Sequence, residues 1–563
     1  MKSTPGAKWR LLPPVPEAYR RASRLPPLIA QLLHNRGVPP GEIDSFLTAD
    51  QRVEGSPFAL PGMAEAVERI YKALLSGEKI AVYGDFDVDG ITATIVMVEG
   101  LSWLGGKAVP YIPDRIREGH GLNLAAIREL RSQGTELIIT VDCGVANIAE
   151  VKEARKLGVD MVITDHHLPL GELPPAVAVV NARREDSRYP FAELAGVGVV
   201  LKLQQALFHH DSRKERLNEM LELVALGTVA DMAPLVGENR YLVSAGLKVL
   251  NNTRRPGLKE LSRGAGLETG GIDTEQILWV LGPRINAAGR MGGAGVSYRL
   301  LTTQSPQEAR ALAEELEERN SERQKLTDAV LNKVKERIAS KAGLPLIIEG
   351  DEAYPVGVLG IAAGRLADEF YKPAIIINLG DDLCRGSCRS IAEFNIALAL
   401  EECRDLLVGF GGHPRAAGFT VKRQNLAQLE EKLMSRGEDQ LSKLALKPEL
   451  TIDADISLSA LTAETLALVQ KLAPFGQSNP QPTFLSRQVE VVECRNIGSR
   501  GEYLKLKLAQ DNVTWEAVDF SRRVPAGGVP ASIDIVYRLD RGYWGGEEVL
   551  CLNLVDFVAS QAR

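Results

Sequence analysis

The chain has 563 residues, of which 45% are hydrophobic and 25% charged, a composition typical of a globular protein of several domains and not of a disordered or collagen-like one. Its 73 acidic and 66 basic residues give a net charge of −7, so a nucleic-acid site must depend on locally clustered arginine and lysine side chains. No stretch approaches the about 18 to 20 consecutive apolar residues that span a bilayer, and we expect a cytoplasmic protein without membrane contact. Six irregularly spaced cysteines predict reduced thiols and no disulfide framework.

Short apolar runs alternate with helical periods in the first part of the chain, which predicts a parallel sheet covered by helices. The predicted strands are 79–83, 108–112, 137–141, 160–164 and 177–180. The predicted helices are 92–101, 123–132 and 146–157. We therefore expect an N-terminal segment over residues 1–60 and an α/β domain over residues 61–304.

A long connecting helix is predicted next. The segment Ser305-Pro306-Gln307-Glu308 matches a capping box with proline at the first helical position, and no helix breaker follows before Gly343. At 1.5 Å per residue, a helix over residues 305–342 would be about 55 Å long and would link two domains. The alternative is two shorter helices with a break near Asn320 and Ser321.

Two further domains are predicted beyond this helix. The first is a smaller α/β domain over residues 343–447, and the second an OB-like β-barrel over residues 448–563. The α/β domain has predicted strands 346–349, 374–378 and 383–389 and helices 361–370 and 396–406. The barrel has predicted strands 488–492, 503–508, 514–518 and 533–537. The predicted fold class is α/β, with a parallel-sheet domain, a long helix, a smaller α/β domain and a C-terminal β-barrel.

Carboxylates and imidazoles follow several predicted strands. Gly84-Asp85-Phe86-Asp87-Val88-Asp89-Gly90 follows the first strand, Asp142-Cys143-Gly144 the third and Asp165-His166-His167 the fourth, and Asp231 ends a helical run. Because the carboxyl ends of parallel strands meet at one edge of the sheet, we expect these side chains to converge. Like charges raise one another's pKa unless cations lie between them, which predicts divalent metal. Oxygen ligands with one or two imidazoles favour Mn²⁺ or Mg²⁺, two ions would suit phosphate hydrolysis, and Zn²⁺ stays an alternative.

The same segments, with Gly227-Thr228-Val229-Ala230-Asp231, resemble the successive motifs of DHH-family phosphoesterases. The segment 411–418, Gly-Gly-His-Pro-Arg-Ala-Ala-Gly, resembles the signature of the DHH-associated second domain. The segment 282–290 and the terminal β domain are similar to the bacterial single-strand-specific exonucleases of this family. The resemblance implies a metal-dependent hydrolase that degrades single-stranded DNA from 5′ to 3′ to mononucleotides, in DNA repair and recombination.

The resemblance also assigns site residues. The implied metal ligands are Asp87, Asp89, Asp142, His166 and Asp231. Asp142 is expected to bridge two ions, and His167 to lie near the scissile phosphate. Many relatives have a histidine ligand four residues before Asp87, where this chain has Tyr83, so Asp85 is expected to replace it. Asp165 is expected to orient an imidazole, although direct metal binding by Asp85 or Asp165 stays open.

Two segments are candidates for contact with the phosphate backbone. His413 and Arg415, in the glycine-rich segment, combine flexible backbone with a cation and are expected to stabilise developing phosphate charge. Arg284, Asn286 and Arg290 lie among glycines and alanines that allow close approach, so we expect them in a nucleic-acid groove.

Two other segments are candidates for the end of the strand. Ser387, Arg389 and Ser390 lie at the end of a predicted strand, and Arg115 and Arg117 follow another. The resemblance implies that segments of this kind bind a 5′ phosphate.

Two other functions stay as alternatives to the exonuclease. A phosphoesterase for very short oligonucleotides or small nucleotides would not need the extra barrel. A catalytically inactive replication scaffold could lose metal ligands, whereas this chain has the full set. Besides single-stranded DNA we expect a single-strand-binding protein and a helicase as partners of a monomeric protein.

Overall fold

The computed structural model describes residues 7–50, 53–115, 117–169, 171–268, 270–339, 343–498, 500–525, 527–544 and 547–560. These residues form two compact units, one spanning residues 54–446 and the other combining the N-terminal residues up to 53 with those from 447 onward. Within the described part of the chain, no helix is both long and apolar enough to cross a membrane.

The described helices and strands are as follows. The strands are β1 (Lys8–Leu11), β2 (Lys79–Tyr83), β3 (Ala108–Tyr111), β4 (Thr135–Val141), β5 (Asp160–Thr164), β6 (Ala178–Val180), β7 (Ile347–Asp351), β8 (Ala374–Asn378), β9 (Leu383–Arg389), β10 (Leu407–His413), β11 (Ala416–Lys422), β12 (Glu449–Ile452), β13 (Ala454–Asp455), β14 (Phe484–Ile497), β15 (Tyr503–Gln510), β16 (Val513–Asp519), β17 (Ser532–Trp544) and β18 (Glu547–Ala559). The helices are α1 (Glu17–Ser23), α2 (Pro27–Asn35), α3 (Ile43–Thr48), α4 (Met63–Ser76), α5 (Val88–Trp103), α6 (Leu124–Ser132), α7 (Ile148–Lys156), α8 (Gly196–Leu207), α9 (Leu221–Ala230), α10 (Gly237–Leu250), α11 (Pro256–Gly264), α12 (Thr274–Gln276), α13 (Gly282–Arg290), α14 (Gly295–Thr302), α15 (Pro306–Ile338), α16 (Leu359–Phe370), α17 (Ile396–Glu401), α18 (Leu426–Leu441) and α19 (Ala463–Gln470).

The first sheet has the order β3-β2-β4-β5-β6, and all of its strands are parallel. This confirms the predicted parallel sheet, and β2 and β5 have the predicted bounds. The following helix, α5, begins at Val88, earlier than predicted, because the Asp87 side chain accepts a hydrogen bond from the Gly90 N–H and caps the helix. Asp89 therefore lies in the first helical turn and not in the preceding loop.

The connecting helix is a single element, α15. Ser305 caps it, as predicted, by accepting a hydrogen bond from the Glu308 N–H at 3.3 Å. The Glu308 carboxylate binds the Thr303 hydroxyl at 2.6 Å, so the reciprocal half of the predicted capping box does not form. The two-helix alternative is wrong, because α15 continues through the buried Asn320 for 33 residues, about 50 Å. Residues 340–342 of the predicted segment lie outside the described residues.

The second sheet has the order β10-β11-β9-β8-β7, in which only the β7–β8 pair is parallel. Strands β8 and β9 have the predicted bounds, whereas the helix predicted over residues 396–406 ends at Glu401. The hairpin of β10 and β11 was not predicted, because β10 is glycine-rich and lies at the exposed edge of the sheet. Helix α15 packs against α11, α13 and α14, which follow the first sheet in the chain, and against α16, which lies between strands of the second sheet in the chain.

The barrel unit contains strands from both ends of the chain. Its sheet has the order β13-β14-β15-β16-β18-β17, and an additional pairing of β14 with β17 closes it, which confirms the predicted β-barrel. The N-terminal strand β1 pairs in parallel with β12, and the Trp9 indole N–H donates to Asp556 at 2.9 Å. Apolar side chains of α2 are part of the same hydrophobic core.

Candidate active site

The ends of three strands and one helix bring the predicted acidic residues together. Asp85 follows β2, Asp142 follows β4, Asp165 and His166 follow β5, and Asp231 ends α9. Their possible ligand atoms form groups in which every atom lies within 4.8 Å of the others. These groups are Asp85-Asp87-Asp142, Asp89-His166-Asp231 and Asp142-His166-His167. We call Asp85, Asp87, Asp89, Asp142, His166 and Asp231 the acidic cluster.

Asp142 and His166 link the groups of the acidic cluster, because each of them belongs to two of the groups. Its Oδ1 atom is 3.1 Å from His166 Nε2, and both atoms are buried without a hydrogen-bond partner in the described structure. Burial first, and then the charge of Asp89, raises the pKa of Asp142. A buried carboxylate and imidazole that face each other without a shared hydrogen bond fit a divalent cation that both would bind.

The neighbouring carboxylates are held by backbone N–H groups but still repel one another. Asp89 accepts hydrogen bonds from the Gly196 and Val197 N–H groups, at 2.7 and 2.8 Å, at the start of α8. Burial and the charge of Asp87 nevertheless raise the pKa of Asp89 to about 7. Burial and the charge of Asp89 raise the pKa of Asp231 to about 8. A bound cation would remove this repulsion.

Asp165 is placed to orient the imidazole ring of His167. Its carboxylate accepts from the N–H groups of Val145, His166 and His167, at 2.7 to 3.0 Å, and from His167 Nδ1 at 2.7 Å. This last bond raises the pKa of His167 to about 9. In contrast, burial and the nearby His167 lower the pKa of His166 to about 3, so His166 is a neutral imidazole that can bind metal.

Asp85 has a carboxylate oxygen within 4.8 Å of possible ligand atoms of Asp87 and Asp142, and a histidine that the sequence analysis missed lies beside it. The His120 Nδ1 atom is 3.4 Å from Asp85 Oδ2, and its ring centre is 4.4 Å from that of Phe86. The Tyr83 hydroxyl instead donates to the Gly121 carbonyl oxygen at 3.0 Å. The only local sign of His120 was its place between two glycines.

A second set of predicted residues lies at the N-terminus of α16. A Cβ atom at Gly360 would lie 3.0 Å from Ser387 Oγ and 3.4 Å from Arg389 Nη2, so both side chains border the first turn of this helix. The Arg290 guanidinium donates to the Gly357 carbonyl oxygen at 3.4 Å. A helix N-terminus with a hydroxyl and two guanidinium groups has the chemistry of a phosphate site.

The Arg290 guanidinium is repelled by the charges of Arg115, Arg323 and Arg389, and we call these four residues the arginine cluster. Burial first, and then the charges of the other three, lowers the pKa of Arg290 to about 9. Among the described residues, none of the four forms an ion pair with a carboxylate at 4.0 Å or less. Arg323 of α15 was not predicted, and its Nε atom is buried without a hydrogen-bond partner. Arg115 also stacks over Phe86, 4.9 Å from the ring centre.

Other predicted residues lie outside the two clusters. Arg117 and Arg415 are exposed on loops, and His413 is the exposed last residue of β10. The buried Ser390 hydroxyl donates to the Phe394 carbonyl oxygen at 2.6 Å and holds a turn.

Two predicted residues of the segment 282–290, Arg284 and Asn286, bind other groups of the protein. Arg284 forms an ion pair with Glu317 at 2.6 Å and thereby holds α13 against α15. The Asn286 side-chain oxygen accepts from the N–H group of Val88 at 3.2 Å, and Val88 lies between Asp87 and Asp89 of the acidic cluster in the sequence.

Comparisons with known proteins confirm the predicted resemblance. Family models match in three places: the DHH family N-terminal domain at residues 79–228, the DHHA1 domain at 331–436 and the RecJ OB domain at 452–556. The single-stranded-DNA-specific exonuclease RecJ of Bacillus subtilis is 37% identical over 542 residues, which cover 95% of this chain and 68% of that protein. The protein of the same name from Escherichia coli is 33% identical over 555 residues, covering 94% and 92%.

Solved structures agree with these matches. The crystal structure of RecJ in complex with Mn²⁺ from Thermus thermophilus matches with a TM-score of 0.84 and 29% identity, covering 99% of this chain and 80% of that chain. A crystal structure of exonuclease RecJ bound to manganese matches with a TM-score of 0.59 and 35% identity, covering 69% and 98%. The chain therefore belongs to the RecJ family of single-stranded-DNA-specific exonucleases.

Proposed function

We propose that this protein is a metal-dependent exonuclease that degrades single-stranded DNA from the 5′ end and releases mononucleotides, as suits DNA repair and recombination. The observation that carries the proposal is the presence, within residues 54–446, of two unneutralised clusters of opposite charge. The acidic cluster requires cations and the arginine cluster requires an anion. A phosphodiester strand held together with divalent metal satisfies both.

The acidic cluster has enough ligands for two ions that share Asp142. Asp85 and Asp87 lie with Asp142 in one group, and Asp89, His166 and Asp231 form another, in which His166 is also close to Asp142. Bound Mn²⁺ or Mg²⁺ ions would activate water and neutralise charge on the scissile phosphate.

His167 is the protein's own cation at this site. Its Nδ1 is bonded to Asp165 and its pKa is raised to about 9, so the ring is protonated at neutral pH with Nε2–H free to donate to a phosphate oxygen. A fixed, charged donor stabilises negative charge that develops in the transition state. Asp165 acts as a positioning residue through this hydrogen bond.

The arginine cluster would bind the terminal 5′ phosphate, with Ser387 and the N-terminus of α16. Charge-assisted hydrogen bonds to phosphate are among the strongest in proteins. Because α13 contacts both clusters, through Asn286 and Arg290, the terminal phosphate and the scissile bond would be held a fixed distance apart. The β-barrel would bind further nucleotides by stacking and electrostatic attraction. A single-strand-binding protein and a helicase as partners, and the monomeric state, stay predictions.

One incubation separates this function from its alternatives. Single strands labelled at the 5′ or the 3′ end, and in parallel a labelled dinucleotide, are incubated with Mn²⁺, Mg²⁺ or EDTA. We expect labelled mononucleotide at once from the 5′ label, a shortening ladder from the 3′ label, and no cleavage in EDTA. Cleavage of dinucleotides alone would indicate a small-nucleotide phosphoesterase, and no cleavage with either ion would indicate a scaffold.

A further inference from the structure

Trp279 is a large apolar side chain that the protein leaves in solvent. It is 59% exposed and lies in the π-helical turn Ile277–Leu281, directly before α13. The first and last residues of this turn are fully buried, so the turn is anchored in the core and displays the tryptophan. Single-turn π-helices are frequent at functional sites, and tryptophan is normally well buried.

The contacts of α13 define where Trp279 lies relative to the two clusters. At its C-terminal end, Arg290 belongs to the arginine cluster. In its middle, Asn286 bonds to Val88 between Asp87 and Asp89. At its N-terminal end, a Cβ atom at Gly282 would lie 3.7 Å from that of Ala230, the residue before Asp231. The nine residues of α13 thus extend about 13 Å from the arginine cluster past the acidic cluster, and Trp279 lies beyond the Asp231 end.

Other exposed apolar side chains are found next to residues of the active site. Met232, directly after Asp231, is 55% exposed and has a left-handed backbone conformation, with φ 59°. Leu168, directly after His167, is 57% exposed. A strained backbone at a non-glycine residue is typical of functional sites, and exposed apolar groups beside a catalytic centre suit the flat faces of bases.

We propose that Trp279 stacks on a base of the single strand on the 3′ side of the scissile phosphate. The proposal rests on the proposed function, in which the 5′ phosphate binds the arginine cluster and the scissile phosphate the acidic cluster. The strand then leaves the active site at the N-terminal end of α13, where Trp279 is exposed. Stacking on tryptophan accepts any base, so it holds the strand in place for each cleavage without sequence preference.

The first test compares Trp279→Ala, Trp279→Phe and the control Leu75→Ala on strands with a 5′ phosphate. Leu75, in the last turn of α4, is 87% exposed and belongs to neither cluster. We expect Trp279→Ala to raise KM roughly tenfold to hundredfold, the range for loss of one base–aromatic stack, with a smaller change in kcat. Trp279→Phe, which keeps an aromatic face, should retain most of the affinity, and Leu75→Ala should behave as wild type.

The second test identifies the stacked base by cleavage and adds a binding measurement in EDTA that does not depend on turnover. Strands carrying one abasic site at successive positions are cleaved by the wild type and by Trp279→Ala, and the two should become equal only when the stacked base is missing. In EDTA, oligothymidylate should quench tryptophan fluorescence of the wild type and do so much less in Trp279→Phe. Equal KM values on every strand, or equal quenching, would overturn the stacking proposal. Failure of the wild type to cleave any single strand would instead overturn the proposed function.

Discussion

The acidic cluster and the arginine cluster are opposite in charge and alike in construction. In the first, burial and repulsion raise the pKa of Asp89 to about 7, and in the second they lower the pKa of Arg290 to about 9. A third buried charge network shows the contrast, because Lys202 forms ion pairs with Glu54 and Glu238 and is neutralised within the protein. Buried like charges that stay unneutralised therefore mark the places where this fold requires ligands.

The two clusters are also coupled mechanically. Arg115 faces the acidic cluster, whose Asp85 and Asp87 partly offset the lowering of its pKa by burial, although it belongs to the arginine cluster. Gly289 of α13 lies against the Phe86 backbone, since a Cβ atom there would be 2.8 Å from the Phe86 carbonyl oxygen. A shift of the terminal 5′ phosphate in the arginine cluster would therefore also move the scissile phosphate at the acidic cluster. The comparison predicts that damage to the acidic cluster abolishes chemistry, whereas damage to the arginine cluster changes end recognition.

The largest effect is expected for Asp142→Ala, which removes the proposed bridging ligand. We expect the rate to fall by roughly a hundredfold to ten-thousandfold, since several kcal/mol of transition-state stabilisation depend on the ions. Binding of single strands in EDTA should persist, because the arginine cluster is intact. The measurement is kcat at saturating Mn²⁺, with the melting temperature as a control for folding. More than a tenth of the wild-type rate would contradict the bridging role.

The matching change in the other cluster is Arg389→Ala. Charge-assisted contacts with phosphate contribute about 1.5 to 3 kcal/mol, so we expect KM for 5′-phosphorylated strands to rise roughly tenfold to hundredfold. Strands with a 5′ hydroxyl should change much less. Arg436→Ala is the control, because Arg436 of α18 belongs to neither cluster and forms an ion pair with Glu402. An equal loss on both kinds of strand would mean that Arg389 contacts the strand in general.

The acidic cluster was predictable from the sequence because most of its residues follow strands, and each strand can be recognised from the apolar residues of its own short segment. Parallel strands bring their carboxyl ends to one edge, so the order of Asp85, Asp142 and His166 in the chain was enough to infer their proximity. The parallel sheet, the long helix and the closed barrel followed from equally local signals of periodicity and capping.

The arginine cluster was only half predictable, because its members come from separate elements without a shared local motif. Arg323 lies on the surface-like face of a long charged helix and is brought into the cluster only by packing. Arg284 was predicted in a nucleic-acid groove because it lies among glycines and alanines, but in the structure it forms an ion pair with Glu317. In the same way, the pairing of β1 with β12 joins opposite ends of the chain, and no local pattern indicates it.

A smaller effect is expected when the barrel unit is removed. Both clusters lie in residues 54–446, which have hydrophobic cores of their own, so this fragment should fold. Both ends must be removed, because β1 pairs with β12 and would lose its partner if only the C-terminal part were deleted. We expect KM for long strands to rise roughly tenfold while hydrolysis of a 5′-phosphorylated trinucleotide changes little. Equal losses on both substrates, measured as kcat/KM, would show that the barrel supports the catalytic fold.

The smallest expected effect is on the pH dependence of the free energy of unfolding, to which the carboxylates of the acidic cluster contribute. Without metal, Asp89 and Asp231 have pKa values of about 7 and 8, above the usual value near 3.8, so the folded protein binds their protons more tightly than the unfolded chain. Their contribution to stability is complete below pH about 4 and is lost as the pH rises through 7 and 8. His167, with its pKa raised to about 9, contributes with the same sign.

Metal should reverse this trend, because Mg²⁺ must displace the protons from the two carboxylates before it binds. At a concentration about 100 times its Kd, a ligand stabilises the folded state by about 2.7 kcal/mol, which for the unit of residues 54–446 is a rise of about 3 °C in Tm. We expect that rise near pH 8 and little or none near pH 5.5, measured by calorimetry with Mg²⁺ or EDTA. Asp142→Asn should reduce the rise at pH 8, whereas Arg389→Ala should leave it unchanged, because only the acidic cluster binds the cation. A rise of the same size at both pH values would mean that the carboxylates are already ionised without metal and that the two clusters do not share the construction described above.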